Sequence, residues 1–200
     1  MATTAVSICN IALSRIGVSK VIEDLEEDST EADVCETHYD AVRDAVLADF
    51  PWPFATRYAT LALDEAADDQ EWAPEWGYSY RYPTDCLRVL RIVAASNRRS
   101  NIPYAIGSDE DGLLIFTDEA EPVIVYTHRN EDPTQYPPAF VSAFAWRLAE
   151  EIAMTLAVSE ALRARAEERY VRALTQAQAN AFNEERSDDN PADEFIQARS

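Results

Sequence analysis

The stretch Asp49-Phe50-Pro51-Trp52-Pro53-Phe54-Ala55 constrains this chain more than any other. Each proline lacks the N–H that a helix interior needs. The residue before each proline is pushed towards extended geometry. A helical pattern running into Asp49 must therefore stop, and the chain must turn while carrying three large aromatic side chains. Such rings bury roughly 150–250 Å² each. The corner is predicted to end a first helical hairpin and to plug a core, and its residues suggest no chemistry.

Upstream, Thr3 or Thr4 caps a helix to about Ile16, with Ala5, Ile8, Cys9, Ala12, Leu13 and Ile16 on one stripe. Gly17, free to take positive φ, stops it. Val18 to Glu27 is a connector anchored by Val21, Ile22 and Leu25. Ser29 or Thr30 caps a second helix, and Glu31 and Asp33 in its first turn suit the positive dipole end. Ala32, Cys35, Tyr39, Val42 and Val46 form its apolar stripe, with Arg43 and Asp44 off it. After the corner, Phe54 to Leu63 is predicted to form a short helix, and Asp64 to Pro74 a loop.

From Trp76 the period changes to two. Trp76, Tyr78, Tyr80 and Tyr82 alternate with small or polar residues, which predicts a strand with an aromatic face. A second strand covers Cys86 to Ala94, with Leu87, Val89 and Arg91 on one side and Arg88, Leu90 and Ile92 on the other. Ser96 to Asn101 reads as a basic turn. Short strands at Tyr104–Ile106, Leu113–Thr117 and Val123–Thr127, with a turn at Gly107–Gly112, complete an antiparallel sheet. Asn130 to Pro138 is a linker. Phe140, Phe144, Leu148, Ile152 and Leu156 then repeat every four residues with alanine companions, and Ser159 caps a last helix to about Phe182. The remainder is acidic and aperiodic, a flexible tail in which Phe195 and Ile196 stand alone like a docking motif.

The expected fold class is α+β: a helical bundle from the N- and C-terminal helices with an inserted small antiparallel β-domain. The expected division is residues 1–63 and 131–183 for the bundle, 64–130 for the insert, and 184–200 for the tail.

The formal net charge is −20, and Lys20 is the single lysine. Such a chain repels nucleic acid and anionic membranes, which argues against general DNA binding. Three widely spaced cysteines do not make a disulfide framework. The first residues resemble no signal peptide, and no apolar run approaches the ~18 residues of a membrane span. A soluble protein made in a cytoplasm is expected.

Phosphate-binding glycine loops are absent, since the four glycines are scattered. Cys35 and His38 lie one turn apart, but no second pair has zinc spacing. Ser142 and Cys86 lack a visible histidine base. Glu150 with Glu151 and Asp109 with Asp111 are carboxylate pairs of the kind an acidic surface produces by chance; a glycosidase would hold two apart in a cleft. No cofactor, metal or catalytic residue is expected. Arg98 and Arg99 are the one compact basic spot outside the helices, suited to a soluble hairpin tip or an acidic partner surface. With Phe195 and Ile196 they form the candidate partner interface.

The order of these signals resembles the adaptor (tail tubular protein A-like) proteins of tailed bacteriophages. The matching stretches are Ile11-Ala12-Leu13-Ser14-Arg15-Ile16-Gly17, the helix from Ala32 to Tyr39 leading into Phe50-Pro51-Trp52-Pro53-Phe54-Ala55, Tyr80-Arg81-Tyr82-Pro83-Thr84-Asp85-Cys86-Leu87-Arg88-Val89, and Pro137 to Leu156. The resemblance implies a helical bundle with an inserted β-domain and a dodecameric ring at the head-tail interface of the virion. That ring docks on the portal protein, extends the DNA channel and offers a surface to the next tail component. It carries over no catalytic residue, and the C-terminal region departs from it most. Two other readings compete. An acidic DNA-mimic inhibitor would space carboxylates along one continuous face, and a peptidoglycan hydrolase would lose activity on carboxylate substitution.

Overall fold

The computed structural model describes residues 3–66 and 75–184. Among them are helices α1 (Ala5–Arg15), α2 (Thr30–Asp49), α3 (Pro138–Leu156) and α4 (Glu160–Glu184). Between α2 and α3 lie strands β1 (Thr56–Thr60), β2 (Leu63–Ala66), β3 (Tyr78–Arg81), β4 (Cys86–Ala94), β5 (Asn97–Ile102), β6 (Ala105–Asp109), β7 (Gly112–Thr117) and β8 (Pro122–His128). The protein is α+β, with the strands inserted between two helical segments.

The helix ends follow local chemistry. Thr4 and Ser7 form a reciprocal capping box at α1. Gly17 takes φ +81° just after that helix. Ser29 Oγ accepts from the Ala32 N–H at 3.2 Å to open α2. The α1–α2 connector is pinned by the Asn10 amide, which exchanges two 2.9 Å hydrogen bonds with the backbone of Ile22.

One core joins all four helices. Ile8, Leu13, Val46, Leu47, Phe140, Phe144 and Leu148 are buried in it, with Tyr170 of α4 closing one side. Ala143, Ala145, Ala149 and Ala153 of α3 are fully buried, and their small side chains let neighbouring helices approach. The aromatic corner plugs this core as expected. The Trp52 indole N–H donates to the Val46 carbonyl at 2.8 Å. Its ring meets Phe50 and Phe140 edge-on, each at 5.1 Å between centroids. Phe54 and Tyr136 pack on Phe140 at 5.0 and 4.8 Å.

The strands make two antiparallel sheets, ordered β1-β8-β4-β5 and β2-β3-β7-β6. Their facing sides share a second core of Leu61, Tyr80, Ile92, Ile115, Ile124 and Tyr126. In the first sheet Ala59, Ile124, Ile92 and Ile102 form one cross-strand row on that face.

Several expectations need correction. Residues 54–63 are not a helix: a single 3-10 turn, Pro53–Ala55, leads into β1, which pairs with β8. Propensity in so short a segment yields to the partner strand's unpaired backbone groups. The sheet thus begins at Thr56, ahead of the boundary placed at 64. Part of the predicted 64–74 loop is strand β2, and residues 67–74 lie outside the described residues. The predicted turns at 96–101 and 107–112 are mostly strand. Asn97–Ile102 is the edge strand β5, and β6 runs to Asp109, so that only Glu110 and Asp111 turn. Two register shifts in β4 break the simple alternation. They put Val89 and Ile92 on the inner face and Arg88 and Arg91 opposite Thr127 and Val125 on the outer one. Arg43, read as off the stripe, is buried, its guanidinium 2.8 Å from Asp40, 2.9 Å from Asp44 and 3.8 Å from Glu131. A charge goes inside when carboxylates arrive with it. The 184–200 tail, with Phe195 and Ile196, lies outside the described residues beyond Glu184.

The α3–α4 turn contains Val158 at φ +46°, a residue 78% exposed. A β-branched residue in the left-handed region is strained, and here no burial offsets it. Val158→Gly is expected to stabilise the fold by about 0.5–1 kcal/mol, the relief exceeding the entropic cost of glycine. A thermal melt should show Tm rising by about 2 °C.

Candidate functional site

Sheet and bundle meet along polar ties. His128 Nδ1 donates to the Ala55 carbonyl at 2.8 Å, the carbonyl being able only to accept. Arg129 Nε reaches Asp44 at 2.7 Å, and Arg88 donates to the Ala48 carbonyl near the end of α2 at 3.1 Å. A cation at that end also suits the helix dipole.

A groove of about 630 Å³ opens at this seam. Its floor is the outer face of the first sheet, where Tyr58, Val125 and Arg91 stand in one cross-strand row over β1, β8 and β4, beside Leu90. One wall is the corner itself: Phe50, Pro51 and Pro53. Extended backbone at Phe50 ends α2, and the prolines that follow present rings without adding unpaired N–H groups. The far end is closed by Gln178 and Ala181, one turn apart on α4. Tyr58 is 52% exposed, and Arg91 is exposed with no ion pair among the described residues. The groove is mostly apolar, its one lining cation, Arg91, has no ion pair among the described residues, and its volume falls in the range of sites that take small ligands or side-chain anchors.

The residues singled out from sequence do not converge here. Arg98 and Arg99 are exposed on β5, beyond the end of β4 from which Arg91 serves the groove. Phe195 and Ile196 are outside the described residues. Cys35 is buried with Cys9, whose thiol donates to it, raising the Cys9 pKa and lowering that of Cys35. No group of three or more metal-ligating side chains occurs among the described residues. The carboxylate pairs are bound by arginines. Arg147 holds Glu150 at 2.8 Å and Glu151 at 3.2 Å. Arg81 holds Asp109 at 2.8 Å and Asp64 at 2.7 Å, with Asp111 at 3.9 Å. In the aromatic strand Tyr80 is core: its hydroxyl donates to the carbonyls of Glu119 and Ala120, both at 2.9 Å.

Among the described residues Glu150 is the one carboxylate whose pKa is raised, by burial and despite the Arg147 guanidinium 2.8 Å away. Its proton is bound more tightly in the folded state than in the unfolded one. The stability it supports is therefore complete below the unfolded glutamate pKa and is lost as pH rises through the folded value. Carbon-detected NMR titration should place the Glu150 midpoint above that of the exposed glutamates. Glu150→Gln should remove this part of the pH dependence.

Sequence reasoning missed the groove because its floor is a cross-strand row. Tyr58 and Val125 are 67 positions apart, and nothing local signals their meeting. The one available signal was the proline pair, which forces extended chain next to a helix end. No helix among the described residues is long and apolar enough to cross a membrane. No family model matches the chain, and no curated protein matches it.

Proposed function

We propose that this protein is a structural subunit of the head-to-tail adaptor ring of a tailed bacteriophage. In that role copies of the chain form a ring, a dodecamer by the resemblance, which docks beneath the portal protein, extends the DNA channel and presents a surface to the next tail component. The observation that carries the reading is the architecture joined to the motif order. Sequence-distant helices share one core around the Phe50–Phe54 corner while a two-sheet insert projects between α2 and α3. Those are the parts that the matching stretches imply. A net charge of −20 suits a channel wall past which DNA slides without sticking, because like charges repel. An open groove and a basic edge strand on one chain suit a subunit with heterologous contacts on two sides.

The test is negative-stain imaging of the purified chain mixed with the portal protein of the same genome. Rings of this chain stacked coaxially on portal are the expected result. A mixture in which portal rings stay bare overturns the reading. Competition with DNA for a nuclease would point instead to a DNA mimic, and peptidoglycan cleavage to a hydrolase.

A further inference from the structure

The groove has a floor of Tyr58, Leu90 and Val125, an arginine, Arg91, with no ion pair among the described residues, and the last turns of α4 at one end. The chain continues from that place. Ala181 lines the groove, α4 ends at Glu184, and sixteen residues follow, 185–200. In those residues Phe195 and Ile196 are the only large apolar side chains, preceded directly by Asp193 and Glu194. The segment carries five carboxylates, Glu185, Asp188, Asp189, Asp193 and Glu194, against Arg186 and Arg199. Its apolar pair matches Tyr58, Leu90 and Val125 in kind, and its acids match Arg91 in sign.

We propose that the groove is the seat of the chain's own C-terminal segment. Phe195 and Ile196 lie against Tyr58, Leu90 and Val125, and the Asp193–Glu194 carboxylates face Arg91. Reach allows it. Phe195 stands eleven positions beyond Glu184, and an extended chain covers about 3.3–3.6 Å per position, roughly 36–40 Å in all. Ser187-Asp188-Asp189-Asn190-Pro191 consists of residues that favour a chain reversal, as a return to Ala181 requires. A short tether also makes weak contacts sufficient. Its effective concentration is about millimolar, so an intrinsic affinity of tens of micromolar keeps the groove mostly filled. This inference concerns the isolated chain and holds whether or not the adaptor reading does. If both hold, the segment must leave the groove before either can engage a neighbour.

The test uses the full-length chain and a fluorescein-labelled synthetic peptide of residues 186–200. In the full-length Phe195→Ala/Ile196→Ala variant the groove is vacated, and the peptide should bind in the micromolar range by fluorescence anisotropy. The unaltered chain should bind it at least about tenfold more weakly, because its own segment competes at millimolar effective concentration. Adding Arg91→Glu to the double variant should weaken the peptide about tenfold or more. All three chains should keep the same circular dichroism spectrum, since Arg91 is exposed, and the unaltered chain should melt a few degrees above both variants because a filled groove stabilises its folded state. Equal peptide binding to the unaltered chain and the double variant overturns the proposal, as does binding to neither. Sedimentation that shows the unaltered chain dimeric and the double variant monomeric also overturns it, by assigning the segment to a second copy. Failure of these tests leaves the portal experiment unaffected, because that experiment reads ring formation.

Discussion

Phe140→Ala is expected to destabilise the protein by about 3–5 kcal/mol, the range for truncating a fully buried phenylalanine. Phe140 is 0% exposed and touches Trp52, Phe54, Tyr136 and Phe144 with centroid separations between 4.8 and 5.8 Å. It is the ring on which the corner, the 131–137 linker and α3 converge. Its removal forfeits the transfer energy of the ring and leaves a cavity that four aromatic neighbours cannot all collapse into. Urea denaturation should show the midpoint falling at unchanged slope. A loss under about 1 kcal/mol would mean that these rings do not hold the corner to the bundle.

Trp52→Ala should cost a similar 3–5 kcal/mol, and Trp52→Phe less. The two replacements separate ring from hydrogen bond. Phenylalanine keeps most of the apolar area but leaves the buried Val46 carbonyl without its indole donor, a loss of about 1–3 kcal/mol. Because Trp52 and Phe140 touch, the two alanine replacements should not add. The double variant should differ from their sum by about 0.5–3 kcal/mol. A strictly additive cycle would show that the two rings stabilise separate parts of the fold.

Much of this fold was legible along the chain because the deciding interactions are local. The Thr4 and Ser29 caps, the Gly17 stop, the four-residue repeat of α3 and the proline corner each depend on neighbours within a few positions. The same locality made the α+β class readable: the hydrophobic period changes from about 3.6 to two near Trp76 and back near Phe140. Errors gathered where the partner strand decides. Residues 56–60, 63–66 and 97–102 carry weak or mixed patterns, and each became strand by pairing with a strand distant in sequence or across a tight turn.

What the amino-acid sequence by itself determined was the helix ends, the aromatic plug and the alternation of helical and extended segments, because capping, proline geometry and periodicity act over one or two turns. Tertiary structure alone decided three things. It buried Arg43 by bringing Glu131 to the Asp40–Asp44 side of α2. It turned Arg91 outward through the β4 register shifts. It set Tyr58, Val125 and Ala181 around one groove. Each joins residues tens of positions apart, and such meetings are fixed by strand register and helix packing, which no local pattern records.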